Sequence, residues 1–195
     1  VLVASVPGAE HILVSHGEFI YFFHRTNKKV IKQKPNEDAA RIPVAGVPSN
    51  IINAFPFDIY ILVFSQWSKN LLATTMVHCL NTSTGNWNKL RDLSGHAQMI
   101  SFKNDRGTFI LQTNGNVIQI CMISGRVELT FVDRLWDFNW QLTGSVHLGD
   151  TLFICGRGIA ASTSLATLTR DQNNRKLCIT NVADSIRYID AMYDF

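Results

Sequence analysis

The chain has 195 residues, of which 46% are hydrophobic and 17% are charged. This composition predicts a folded chain with a sizeable core and excludes a disordered one. Its length suits one domain, or at most two small ones. Lys and Arg total 18 against 15 Asp and Glu, and the net charge of +3 is too small to indicate nucleic acid or an anionic membrane as the main partner. The most apolar stretch, residues 51–64, is too short and too interrupted to span a bilayer.

Short runs of aromatic and β-branched residues alternate with turn-forming residues along the chain. In chain order the strongest runs are residues 19–23, 59–64, 108–111, 117–120 and 152–154. Turn signals separate them, and Asn114 followed by Gly115 is typical of a two-residue hairpin turn because both positions favour positive φ. No long amphipathic pattern predicts a helix. The sequence therefore predicts an all-β fold.

The strand-like runs recur at a regular interval. Gly17, Gly107 and Gly149 each precede a strong run, and their spacing fits a repeat of about 44 residues. A unit of that length can hold four short strands, which is the size of a β-propeller blade. We predict about four four-stranded blades in a single domain spanning 1–195, as a closed ring or a fragment of a larger one. The predicted repeats are residues 10–50, 51–94, 95–140 and 141–184, with the start of a fifth at 185–195.

Three segments carry a resemblance to a known family. Residues 79–90 resemble the hairpin between the third and fourth strands of a kelch repeat, with Leu80 at the usual tyrosine, Asn81 at the aspartate and Trp87 at the tryptophan. Residues 94–97 resemble the small-Gly-His-Ala entry to the following blade. Residues 148–158 resemble the strand that ends in a double glycine, although Arg157 replaces the second glycine. The chain is thus similar to a degenerate kelch-repeat β-propeller.

The kelch resemblance implies a non-catalytic protein–protein interaction module. Such a domain can be the substrate-recognition part of a BTB–kelch adaptor of a ubiquitin ligase, in which the loops after the second strands line one binding face. Trp67 would be the aromatic anchor of that face, since interface energy concentrates in Trp, Tyr and Arg. The expected partner is a protein or peptide, with an acidic peptide as one candidate because residues 25–41 are locally basic. The predicted partner-binding residues are Arg25, Lys28, Lys29, Gln66, Trp67, Asn114 and Ser162.

No sequence motif indicates catalysis. The six histidines have no metal-ligand spacing and are interpreted as strand-edge or turn residues, and neither a nucleophile elbow nor a phosphate loop is present. We therefore predict no enzymatic activity, no metal and no cofactor. Two alternatives remain open. One is a sialidase-like or other propeller glycosidase, to which residues 83–87 bear a faint likeness. The other is a secreted or viral surface domain that binds a receptor or a glycan.

The four cysteines and one tryptophan lead to two further predictions. Each cysteine lies in an apolar run and no CxxC pair occurs, which favours reduced thiols and an intracellular, cytoplasmic location over disulfides in a secreted protein. Trp87 follows a tight turn and is expected to pack between neighbouring blades. The cysteines are Cys79, Cys121, Cys155 and Cys178.

Overall fold

A computed structural model describes residues 3–4, 10–34, 37, 42–44, 46–69, 72–95, 99–104, 107–134, 141–148, 151–157, 163–170 and 177–183. These ranges contain strands and turns and no helix, so the predicted all-β class is confirmed for them. Within the same ranges no helix has the length and hydrophobicity needed to cross a membrane. The chain divides into two compact units, Val1–Ala97 and Gln98–Phe195.

The first unit holds two five-stranded antiparallel sheets. The first sheet takes its strands in chain order: β1 (Val3–Ala4), β2 (His11–His16), β3 (Phe19–His24), β4 (Val30–Gln33) and β5 (Ile42–Val44). The second sheet comprises β6 (Ile51–Phe57), β7 (Tyr60–Lys69), β8 (Leu72–Asn81), β9 (Trp87–Lys89) and β10 (Leu93–Ser94). Both β9 and β10 pair with β8, so the outer edge of this sheet is built from two short pieces.

Tight turns set the register of these hairpins. Gly17 adopts a φ of 60° between β2 and β3, a conformation that glycine reaches without steric cost. The pairing of His16 with Phe19 next to this turn places His11 opposite His24 at the far end of the hairpin. Asp58 turns between β6 and β7 with a φ of 53°, which aspartate tolerates better than most residues do. The turns thus determine which side chains meet at the strand ends.

The core of the first unit is formed by apolar side chains of both sheets. Burial alternates along β2, as expected for a strand with one face toward the interior. On β7 and β8, the paired residues Ile61 and Leu80 belong to the same cluster as the first-sheet side chains. Burying a large aliphatic or aromatic side chain contributes roughly 1.5–3 kcal/mol, so this cluster is the main source of the unit's stability. Its largest members are Ile12, Tyr21, Phe23, Ile61 and Leu80.

Trp87 packs against this core from β9. Its ring lies edge-to-face with Phe23 of the first sheet, with the ring centroids 6.4 Å apart and an interplanar angle of 87°. Gly46 lies directly beside the indole, because a Cβ added there would be 3.1 Å from Trp87 Cδ1. Trp87 is thus partly buried against the core of both sheets, and its packing between propeller blades stays a prediction.

The second unit holds two four-stranded antiparallel sheets, each with its strands in chain order. The first comprises β11 (Met99–Asn104), β12 (Gly107–Gln112), β13 (Asn116–Ile123) and β14 (Arg126–Arg134). The second comprises β15 (Gln141–Leu148), β16 (Thr151–Arg157), β17 (Thr163–Arg170) and β18 (Leu177–Ala183). Asn114 and Gly115 lie in the turn between β12 and β13, where the amide of Gly115 donates to Gln112 O at 2.9 Å. This turn is longer than the two residues predicted, since the last paired residues are Leu111 and Val117.

Two of the four cysteines have side chains that the structure describes. Cys79 and Cys121 are both free, and Cys79 is buried. Burial raises the pKa of the Cys79 thiol to about 12, because the thiolate loses its hydration there. The side chains of Cys155 and Cys178 lie outside the described residues.

Candidate functional site

Polar side chains meet where β2 begins and β3 ends. We call this group the strand-end cluster and define it as Glu10, His11, His24, Arg25, Thr26 and Asn27. The hairpin register brings the two imidazoles together, with ring centroids 4.8 Å apart and an interplanar angle of 73°. This is the edge-to-face arrangement that aromatic rings favour. An imidazole can act as a general acid or base in catalysis.

His24 is held by the turn that follows it. The backbone amides of Thr26 and Asn27 donate to its Nδ1 at 3.3 and 3.2 Å, and the side-chain amide of Asn27 lies 3.0 Å from Nε2. A neutral imidazole accepts at one nitrogen and donates at the other, so the ring that accepts at Nδ1 carries its proton on Nε2, beside Asn27 Nδ2. Glu10 Oε2 lies 4.0 Å from His24 Nε2. These contacts fix the His24 ring, and the fixed ring in turn orients His11.

Arg25 connects the cluster to the second sheet. Its backbone amide donates to Glu10 O, and its carbonyl accepts from the amide of Ile51, both at 2.9 Å. Its guanidinium Nη1 donates to Ile52 O at 3.4 Å. Partial burial lowers the pKa of Arg25 from its ordinary value, because desolvation disfavours the charged form. A partly desolvated guanidinium that is held in place is well suited to binding carboxylate or phosphate.

Five of the predicted partner-binding residues lie in the first unit. Arg25, Lys28 and Lys29 lie in the turn between β3 and β4, and both lysines are exposed. Gln66 and Trp67 were expected in a loop, but they belong to strand β7. The amide of Gln66 donates to Asn50 O at 3.0 Å, next to the Ile51 that is bonded to Arg25.

The other two predicted residues are not brought to this cluster. Asn114 lies in the β12–β13 turn of the second unit, where its side-chain oxygen accepts from the amide of Asn116 at 3.1 Å. That contact is local to the turn. Ser162 lies outside the described residues.

Polar groups at the opposite end of the same strands have a different pattern of partners. His16 Nε2 is hydrogen bonded to the carbonyl of Asp58, and Thr82 Oγ1 donates to Ile59 O at 2.7 Å. Burial raises the pKa of Tyr21, and a hydrogen bond with Thr82 partly opposes this shift. His16 joins turns of the two sheets and Thr82 joins two turns of the second sheet, both through backbone carbonyls, so we interpret them as structural. Within the described ranges, no group of three His, Cys, Asp or Glu side chains converges as a metal site would require.

Comparison with known proteins finds similarity in fold only. No protein-family model matches this chain, and no curated protein matches it significantly. The chain is similar to a crystal structure from Bacteroides uniformis at 11% identity, with a TM-score of 0.54 over 89% of this chain and 56% of that one. A structure from Bacteroides fragilis matches at 17% identity with a TM-score of 0.47, over 88% and 55%. Both are described as a "putative 6-phosphogluconolactonase". This chain spans little more than half the length of either structure.

These findings correct the family prediction. The chain was predicted to be a kelch-repeat protein, and this is wrong, because the solved structure that it resembles with a TM-score of 0.54 is described as a "putative 6-phosphogluconolactonase" and not as a kelch protein. The residues that carried the resemblance have general structural roles. Gly85 turns with a φ of 75°, Trp87 packs on the neighbouring sheet, and Gly156 lies inside β16 paired with Ser164. Many stacked antiparallel hairpins need such residues, so the pattern does not identify a family.

The functional predictions that depended on this family are corrected as well. The predictions of a non-catalytic interaction module, of a ubiquitin-ligase adaptor and of no enzymatic activity are wrong, since the fold likeness is to a structure described as a "putative 6-phosphogluconolactonase". Their basis was a short hairpin motif and the absence of a catalytic signature. Neither observation could detect a site assembled from residues that are distant in sequence.

Sequence analysis missed the two histidines of the strand-end cluster. It interpreted His11 and His24 as strand-edge or turn residues because their sequence separation matches no motif. The signal that could have paired them is the turn at Gly17. In an antiparallel hairpin, residues equally distant from the turn lie opposite each other, which brings His11 to His24.

Proposed function

We propose that this chain is part of an enzyme that hydrolyses the lactone of a phosphorylated sugar acid. The observation that carries this proposal is the fold likeness over 89% of the chain to a structure described as a 6-phosphogluconolactonase. The strand-end cluster supports it independently. A substrate of this class has a cyclic ester and a phosphate group, and the cluster offers an imidazole pair beside a positively charged turn.

The cluster can supply the two functions that lactone hydrolysis needs. His11 would accept a proton from water as the water oxygen bonds to the lactone carbonyl carbon. When the bond from that carbon to the ring oxygen breaks, the same imidazole would return the proton to the ring oxygen, which leaves a hydroxy acid. His24 would act as a positioning residue, because its own turn already occupies both of its ring nitrogens. Arg25 would bind the phosphate, with Lys28 and Lys29 adding positive charge.

We also propose that the sheets are successive blades of a β-propeller. Four antiparallel sheets follow one another along the chain, and most of their strands pair in chain order. The shared core of the first two sheets supports the idea that neighbouring sheets stack face to face. A crystal structure of the complete protein would test the proposal. A ring of stacked sheets is the expected result, and an open or differently packed arrangement would contradict it.

The enzymatic proposal can be tested by measuring acid release from freshly prepared 6-phosphogluconolactone in a pH-stat. The full chain should accelerate hydrolysis above the spontaneous rate, and unphosphorylated gluconolactone should be a poorer substrate because it lacks the group that Arg25 binds. His11→Gln should lower kcat by about 10²- to 10⁴-fold, the usual contribution of a general base.

His16→Gln is the matched control, since His16 lies at the other end of the same strand and bonds to the backbone of Asp58. It should leave kcat unchanged. An absence of acceleration above the spontaneous rate would overturn the proposed function. Equal losses in the two variants would remove His11 from the mechanism.

A further inference from the structure

Strand β7 extends beyond the end of its neighbour β6. Its neighbour β6 begins at Ile51, which pairs with Ser65, whereas β7 and β8 continue to pair as far as Lys69 and Leu72. The last residues of β7 therefore form a ribbon with β8 that projects past the end of β6. The projection lies on the side of the strand-end cluster, because the amide of Gln66 bonds to Asn50 and the next residue, Ile51, bonds to Arg25.

Trp67 is the large apolar side chain on this ribbon. Side chains alternate between the two faces of a strand, so Trp67 lies on the same face as Val63 and Ser65. Val63 belongs to the core shared with the first sheet, which identifies this face as the one toward β3. Ser65 is fully buried and Trp67 is 51% exposed. On this face of β7, the buried core therefore ends at Ser65 and Trp67 is the first side chain in contact with solvent. At about 3.3 Å per residue, the indole is roughly 7 Å beyond Ser65.

The position of Trp67 combines an exposed aromatic surface with nearby positive charge. Arg25 and the two lysines of the β3–β4 turn lie at the end of the strand that this face of β7 approaches. The C–H faces of a sugar ring are apolar and pack well on an aromatic ring, whereas a phosphate needs the guanidinium. Among the described residues of the first unit, Ile59 is the other large hydrophobic side chain with comparable exposure, and it lies at the opposite end of β7.

We propose that Trp67 and Arg25 form a binding site for a phosphorylated sugar ring, in which the indole packs on the ring and the guanidinium binds the phosphate. The proposal rests on the proposed function for the choice of a sugar phosphate. It assigns Trp67 a role in ligand specificity and none in proton transfer. It also gives the positively charged β3–β4 turn a negatively charged ligand.

The experiment measures binding without turnover, so its outcome is separate from that of the lactonase assay. Glucose 6-phosphate and inorganic phosphate are titrated into the full chain by calorimetry. Trp67→Ala should weaken the affinity for glucose 6-phosphate by about tenfold and leave the affinity for phosphate unchanged. Trp67→Phe should retain most of the affinity. Arg25→Gln should weaken the binding of both compounds, because it removes the group that they share.

Ile59→Ala is the matched control, since it removes an exposed apolar side chain from the other end of β7. It should bind glucose 6-phosphate as the unmodified chain does. The proposal is overturned if the unmodified chain does not bind glucose 6-phosphate, if Trp67→Ala binds it normally, or if Trp67→Ala weakens both compounds equally. If the unmodified chain is an active lactonase and Trp67→Ala binds glucose 6-phosphate normally, this inference is wrong and the proposed function stands. If Trp67→Ala selectively loses binding of glucose 6-phosphate while the unmodified chain shows no lactonase activity, the inference stands and the proposed function is overturned.

Discussion

Two tryptophans of the second sheet lie in contrasting surroundings. Trp87 starts β9, lies against Phe23 and Gly46, and belongs to the apolar region between the two sheets of the first unit. Trp67 lies on the part of β7 that extends past β6, where half of its surface is exposed. The same residue type thus fills space in one region and offers a surface in the other.

The difference shows what separates a structural region from a candidate site in this fold. Between the sheets, each side chain is fixed by its apolar neighbours, and a change in volume has a direct cost in stability. At the strand ends, side chains are fixed by hydrogen bonds to turns and can present charge and aromatic surface to a ligand. We therefore expect substitutions in the first region to change the free energy of unfolding and those in the second to change binding or catalysis.

The largest expected effect on stability is that of Trp87→Ala. Truncating a large aromatic side chain that packs in a core costs about 3–5 kcal/mol, from lost burial and from the cavity that remains. Urea denaturation followed by circular dichroism measures this change. Trp67→Ala is the paired control and should change the free energy of unfolding by no more than about 0.5 kcal/mol. Similar losses in the two variants would abolish the distinction between the regions.

Gly46→Ala should have the next largest effect. Gly46 has a φ of 86°, where an L-residue is strained, and its new Cβ would lie 3.1 Å from Trp87 Cδ1. We expect a loss of about 1–3 kcal/mol in the free energy of unfolding. The steric part should disappear when the indole is absent, so the same change in a Trp87→Ala background should cost less. If the losses in the free energy of unfolding were strictly additive, the added Cβ at position 46 and the Trp87 indole would not be in contact.

Cys79 provides a smaller, pH-dependent test of the core. Its thiol titrates at about 12 in the folded chain and near 9 when unfolded, so the folded state binds more protons between these values. Its contribution to stability is therefore fully present below pH 9 and is lost as the pH rises further, with about 1 kcal/mol lost by pH 10. Cys79→Ala should reduce this alkaline loss. Denaturation at pH 8 and pH 10 measures the effect, and identical pH dependence in both proteins would contradict it.

The smallest effect on stability is expected for charge reversal at Lys28 and Lys29 in the β3–β4 turn. Lys28→Glu combined with Lys29→Glu changes exposed side chains, so the free energy of unfolding should shift by less than about 0.5 kcal/mol. Association with glucose 6-phosphate should become slower, and the difference should shrink as salt screens the charges. Stopped-flow measurements at two ionic strengths test this. A salt-independent change would mean that the lysines do not act through long-range charge.

The sequence by itself determined the all-β class and several local features. Runs of aromatic and β-branched residues predicted strands such as β3 and β12, and turn-forming residues predicted the turns that join them. Trp87 was expected in a structural role, and it packs against the first sheet because a large aromatic residue in a short outer strand has a neighbouring sheet to contact. These features depend on interactions over a few residues, which the order of residues records directly.

Only the tertiary structure decided the composition of the strand-end cluster. His11 and His24 meet through hairpin register, and Arg25 reaches the second sheet through its bond to Ile51. Trp67 was expected in a loop, yet it lies in β7, and its exposure follows from where β6 begins. The alternation of a strand indicates which residues share a face. What covers that face is decided by the length and position of neighbouring strands, which are distant in sequence.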